Sequence, residues 1–207
     1  LLCVTVFSTP FFAGAQVVIT EIMYDTSGAD TGHEWIEIHN TGADSVDIKN
    51  WKFFEADTNH GLVSVAGGTS IPPSGYAIIA DNGTQFLTDY PSFSGIAFDS
   101  SFSLKNDGGE VIAIRNDALE NVDALTYNPA LGAGGDGMTL QKNGSTWVAA
   151  LATPGAGWSA ATTQESNTTT TTTETAPPSS TTAQSSTGNF PVEPQIYANA
   201  GPDKTVQ

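Results

Sequence analysis

The chain has 207 residues, with 6 Lys and Arg against 22 Asp and Glu, and a formal net charge of −16 at neutral pH. Duplex nucleic acid and anionic lipid are repelled by such a field, because both are bound through Lys and Arg that release counterions; cations and cation-bridged surfaces are its natural partners. One cysteine, Cys3, leaves the remaining sequence without a disulfide, a thiolate nucleophile or a cysteine metal site.

The opening stretch Leu1 to Ala15, LLCVTVFSTPFFAGA, carries no charge and ends in the small residues Ala13-Gly14-Ala15. It predicts the apolar region and cleavage site of a secretory signal peptide, truncated at its N-terminus, with the mature protein beginning near Gln16. The alternative is a buried first strand broken by Pro10. The stretch is shorter than the roughly 20 residues that span a bilayer, so no membrane insertion is expected after cleavage.

From Val17 to Trp158 short apolar runs alternate with Gly, Asn, Asp and Pro. VVITEIMY, EWIEIHN, VDIKNWKFF, GLVSV, GYAIIAD, EVIAIRN, VDALTY and GMTLQK are rich in β-branched and aromatic residues and read as strands. In Glu34 to Asn40, Ile36 and Ile38 oppose Trp35, Glu37 and His39; in Glu110 to Arg115, Val111 and Ala113 oppose Ile112 and Ile114. Thr84 to Tyr90 predicts a short helix that Pro91 stops. Asn106-Asp107-Gly108-Gly109 predicts a tight hairpin between two apolar runs, and Pro72-Pro73 before Gly75 a turn at a sheet edge. Trp51 is expected between the sheets, whereas Trp35 suits packing and ligand stacking about equally. Many short strands at this spacing predict an all-β, antiparallel sandwich.

Ser159 to Pro194 differs in kind: 12 Thr, 6 Ser and 4 Pro stand there with almost nothing apolar to bury. Conformational entropy keeps such a segment open, so residues 159–194 are expected to be a disordered linker reaching on the order of 35 Å. At the end, Ala200-Gly201-Pro202-Asp203-Lys204-Thr205-Val206 resembles the opening strand of polycystic-kidney-disease-type immunoglobulin-like repeats, so residues 195–207 are expected to begin a second sandwich.

Several blocks within residues 16–158, in order, resemble the lamin tail domain of bacterial secreted proteins. Val18-Ile19-Thr20-Glu21-Ile22-Met23-Tyr24-Asp25 matches the family's opening strand, and Glu34-Trp35-Ile36-Glu37-Ile38-His39-Asn40 looks like its E-[FW]-[IV]-E-[IL]-x-N block. Val46 to Phe53, Ile71 to Ile79, Phe102 to Ile112, Val122 to Tyr127 and Thr153-Pro154-Gly155 resemble later segments. Two departures stand out: Trp158 where the family has Asn, and Asn50 where it has Gly before Trp51. The resemblance implies an immunoglobulin-like β-sandwich.

Chemistry is sparse. His33-Glu34 does not make a zincin site, since the next histidine, His39, lies six residues on, about 20 Å along an extended strand. His60 stands alone, and all three histidines are expected at the surface. Nucleophile elbow, P-loop and dinucleotide fingerprints are absent from the sequence, and no carboxylate pair is singled out for acid–base work. No catalytic or cofactor-binding residue is assigned. The best site expectation is calcium: Asp25, Asp30 and Glu34 on a Gly-containing loop, with Glu21 nearby, would bind Ca²⁺ weakly, at about 10⁻⁴–10⁻³ M.

These features point to a monomeric, non-catalytic binding or spacer module of a secreted or cell-surface bacterial multidomain protein. Its expected ligand is a protein or polysaccharide at the cell envelope. The alternative is an accessory domain of an extracellular hydrolase, a nuclease or protease, which the resemblance permits because bacterial lamin-tail-like domains occur beside such enzymes. Nuclear scaffolding does not fit a sequence without coiled-coil heptads or a basic cluster.

Overall fold

A computed structural model describes residues 17–159. The expected leader (1–15), nearly all of the expected linker (159–194) and the expected start of a repeat (195–207) lie outside the described residues. In chain order the strands are β1 (Val17–Met23), β2 (Trp35–Asn40), β3 (Val46–Asp47), β4 (Lys52–Glu55), β5 (Thr58–Gly61), β6 (Val63–Ala66), β7 (Ser70–Ile71), β8 (Tyr76–Ala80), β9 (Ile96–Asp99), β10 (Val111–Arg115), β11 (Asn121–Thr126), β12 (Met138–Asn143) and β13 (Thr146–Leu151). A helix, α1 (Gly83–Asp89), sits between β8 and β9.

The strands form a seven-stranded sheet, β13-β12-β1-β2-β8-β9-β6, a four-stranded sheet, β11-β10-β4-β5, and a ribbon, β3-β7. The expected all-β, immunoglobulin-like sandwich is what forms. One pairing departs from the antiparallel rule: β8 and β9 run parallel. Parallel neighbours need a crossover, and α1 supplies it. The helix starts on Asn82, whose side chain accepts the N–H of Gln85, and closes at Tyr90, whose N–H reaches the carbonyl of Phe86. Pro91 follows and cannot continue it.

Between the sheets lie Ile19, Ile36, Ile38, Ile79 and Phe98 from the large sheet, against Phe53, Ile112 and Ile114 from the small one. The alternation read from the sequence therefore sets both inner faces. One irregularity matters more than the rest. The β1–β2 register shifts between Ile19 and Glu21, so Thr20 is an extra residue and the inward set moves from Val17 and Ile19 to Ile22 and Tyr24. Without that bulge the carboxylate of Glu21 would point into the core.

Two sequence expectations need correction. Gly108 and Gly109 do adopt positive φ, 68° and 66°. Phe102 to Glu110, however, forms no strand; it crosses as a loop, because β10 takes β4 and β11 as partners. Trp51 is only partly buried against the core, since the N–H of Trp51 closes a turn on the carbonyl of Ile48 that splits the run VDIKNWKFF into β3 and β4. The fully buried tryptophan is Trp35, on the outer face of the large sheet, where Met23, Ile78, Ala80, Phe86 and Ala97 enclose it. The Pro72-Pro73 turn forms as read, with the N–H of Gly75 donating to the carbonyl of Pro72 at 2.9 Å.

Candidate functional site

The four carboxylates expected to hold calcium are not brought to one point. In the loop before β2, Asp30 accepts the N–H of Thr26 at 2.9 Å and the side-chain amide of Asn106 at 2.6 Å. Asp25 lies beside Asp30 and Asp136; partial desolvation first, and these two charges next, raise its pKa. Glu34 turns into the protein, where it accepts the N–H of Leu104 at 2.9 Å. The β1 bulge sends Glu21 to the outer face of the large sheet, onto the hydroxyl of Thr139 at 2.6 Å and the amide of Gln141 at 3.1 Å. Among the described residues no three His, Cys, Asp or Glu side chains are grouped to hold a metal ion. The four-ligand arrangement is thereby corrected, and its cause is the bulge together with the inward turn of Glu34.

What the structure does build is a set of polar fasteners along EWIEIHN. Glu34, Glu37 and Asn40 are all buried. Glu34 holds the 102–110 loop through Leu104. Asn40 donates to the carbonyls of Asp44, Ile71 and Pro72 at 2.8–3.0 Å and accepts the N–H of Gly42, which fixes the turn into β8. Glu37 and Glu21 face each other directly across β1 and β2. Over them runs the segment after β13: the N–H of Thr153 donates to Glu21 at 3.0 Å, and the N–H of Gly155 donates to Glu37 at 2.7 Å. The hydroxyl of Thr20, the bulge residue, completes the shell of Glu37 at 2.7 Å.

These carboxyls titrate unusually because they are buried without cations. Desolvation raises Glu37 to about 8, against the hydroxyl of Thr20 and with the charge of Glu21 adding to the rise. Desolvation likewise raises Glu34 to about 8, opposed by the N–H of Leu104 and reinforced by Asp81, Asp30 and Glu110. Glu21 is raised too, by desolvation that its four hydrogen bonds only partly offset. Raised carboxyls in a cleft are candidate acid–base groups. Here Glu21 and Glu37 lie under the chain's own backbone, so the shift records burial of a structural pair.

The histidines divide. His33 meets Asp89 at 2.7 Å, which ties the acidic loop to α1 beside a cavity of about 250 Å³ lined by Met23, Thr26, Ser27, Tyr90 and Gly137. His39 stacks on Tyr76, with ring centroids 4.2 Å apart. His60 is not the surface residue expected; its side chain is largely buried, 3.2 Å from Glu55. Sequence reading passed over Glu37, Glu55 and Glu110 as buried groups, because Glu37 stands on the outward side of β2, and Glu55 and Glu110, though in step with Phe53 and Ile112, stand at strand ends where a carboxylate ordinarily meets water.

The comparison with known families decides the identity: the lamin tail domain matches residues 11–129, more than half of the chain. The chain belongs to the lamin tail domain family. No curated protein and no solved structure matches it. Lamin tail domains are immunoglobulin-like and typically non-catalytic, in keeping with a pair of carboxylates consumed by backbone N–H groups. The matched span ends before β12, β13 and the segment over Glu21 and Glu37. In this lamin tail domain those elements complete the large sheet, and Glu21 joins them to β1.

Proposed function

We propose that this lamin tail domain is a binding or spacer module of a secreted or cell-surface bacterial multidomain protein, with a protein or polysaccharide of the cell envelope as its ligand. One observation carries the non-catalytic half of this reading. The buried polar side chains of EWIEIHN all serve the chain's own backbone, so the domain is a rigid scaffold that leaves its surface for contacts. The acidic charge and the uncharged leader-like start support an extracellular setting, where such a surface stays soluble.

Sedimentation of the full chain with purified bacterial envelope fractions tests the reading. Saturable retention on one fraction, lost when that fraction is stripped of its protein or its polysaccharide, is expected. Absence of retention on every fraction contradicts a binding role.

A further inference from the structure

We propose that the cavity beside the β4–β5 turn binds the ammonium group of a lysine side chain presented by a partner polypeptide. This names the partner's chemistry and rests on the reading of the domain as a binding module. β4 and β10 pair only as far as Phe54 and Ala113, although β4 runs on to Glu55 and β10 begins at Val111. There the strands part, and β4 turns into β5 through Ala56 and Asp57, at φ 44° and 59°. A cavity of about 170 Å³ opens between them, lined by Phe54, Ala56, Asp57, Lys105, Glu110 and Val111.

Glu110 carries the argument. It is 8% exposed, and one carboxylate oxygen, Oε1, is served by the N–H of Lys105 at 2.9 Å and the hydroxyl of Tyr127 at 3.2 Å. The other, Oε2, is buried with no hydrogen-bond partner. An unserved buried acceptor is costly, and a charged one more so. Glu55, 5% exposed, also has a buried Oε2 without a partner. Desolvation, and after it the charge of Glu110, push the Glu55 carboxyl above its ordinary value. Lys105 shows what the site attracts and why it is unfilled: its Nζ stops 3.9 Å from Glu110 Oε2, and its side chain is 60% exposed. That separation is outside hydrogen-bond range.

The donor set selects the ligand. A guanidinium favours both oxygens of one carboxylate, and Glu110 offers only one. An ammonium is a compact donor that a single oxygen serves, with Asp57 exposed at the mouth as a second acidic group. Phe54, Ala56 and Val111, the last 52% exposed, suit the aliphatic stem of lysine. The acidic domain draws a basic partner toward itself.

The test is NMR titration of the ¹⁵N-labelled full chain with Nα-acetyl-lysine N-methylamide, its Nε-acetylated form and 1,4-diaminobutane. Saturable shifts at the amides of Ala56, Asp57 and Val111 are expected with the lysine probe and not with its acetylated form. Glu110→Gln should weaken that binding about tenfold. Asp57→Asn, at an exposed position whose positive φ suits Asn, should weaken it about two- to threefold and serves if the first variant does not fold. Lys105→Ala should keep or raise the affinity. Equal response to both lysine probes, unchanged affinity in the acidic variants, or loss in Lys105→Ala overturns the proposal. Tighter binding of the diamine than of the lysine probe assigns the cavity to a small amine and also overturns it. Envelope retention is measured independently, so the two readings fail separately.

Discussion

The outer face of the seven-stranded sheet is covered twice, by opposite means. At one end α1 lays Phe86 against Trp35, with Tyr90 and Phe93 beside it; ring centroids stand 5.1–5.7 Å apart in edge-on contacts. That patch is almost dry, and burial of apolar area holds it. At the other end the segment through Thr153 and Gly155 covers Glu21 and Glu37, and hydrogen bonds to buried carboxylates hold it. Trp35 and Glu37 are outward residues of one strand, two positions apart. The contrast teaches that an outward alternation does not mean a solvated face, and that whatever crosses above decides whether a hydrophobe or a carboxylate belongs below.

The largest expected effect is at the dry end. Trp35→Ala should destabilise the domain by about 3–5 kcal/mol in denaturant unfolding, because a fully buried indole leaves a cavity between Phe86 and Ile78. A loss below about 1 kcal/mol would mean that α1 does not seal that patch.

At the polar end, Glu37→Ala should cost about 1–3 kcal/mol, since the N–H of Gly155 and the hydroxyl of Thr20 lose their acceptor. The same groups set a pH dependence. A carboxyl raised from 4.5 to about 8 on folding binds more protons folded than unfolded. Its contribution is therefore fullest below pH 4.5, declines as pH rises through the window to about 8, and is flat above it. Chemical denaturation across pH 5 to 8 should show stability falling with pH, at up to about 1.4 kcal/mol per unit for each such group. Glu37→Gln should flatten that slope. Asp30, lowered on folding against its own desolvation by bonds from Asn106 and Thr26, has the opposite sign and loses its contribution as pH falls below 3.8.

Smaller effects belong to the parts that position these covers. Asn82→Ala removes the cap of α1 and should lower stability by about 1 kcal/mol in thermal unfolding. Millimolar Ca²⁺ should leave the melting temperature unchanged, because Glu21 and Glu34 are turned away from Asp25 and Asp30.

Much of the fold was legible because strand alternation is a direct readout of burial. Ile36 and Ile38 had to share a face, and Thr84 to Tyr90 had the following proline that stops a helix. The short β9 and the six-residue β13 were missed although Ser94-Gly95 and Asn143-Gly144 flank them, since IAFD and TWVAAL carry no clean apolar–polar alternation. The expected grouping of four carboxylates came apart at the bulge: a period of two places Glu21 by counting, and one extra residue, Thr20, moves it to another neighbourhood. Glu34 and Glu37 looked like solvent-facing carboxylates because the segments that bury them, Leu104 and Thr153 to Gly155, are 70 and 116 to 118 residues distant in sequence. Contacts at that separation leave no local trace.

Amide hydrogen exchange at Leu104, Thr153 and Gly155, in the wild-type chain and in Glu37→Ala, tests most directly whether the buried carboxylates are fasteners. Protection at all three positions in the wild type is predicted, with Gly155 losing it in the variant while Leu104 keeps it. Free exchange of Gly155 in the wild type, or protection there that survives removal of Glu37, would contradict the account.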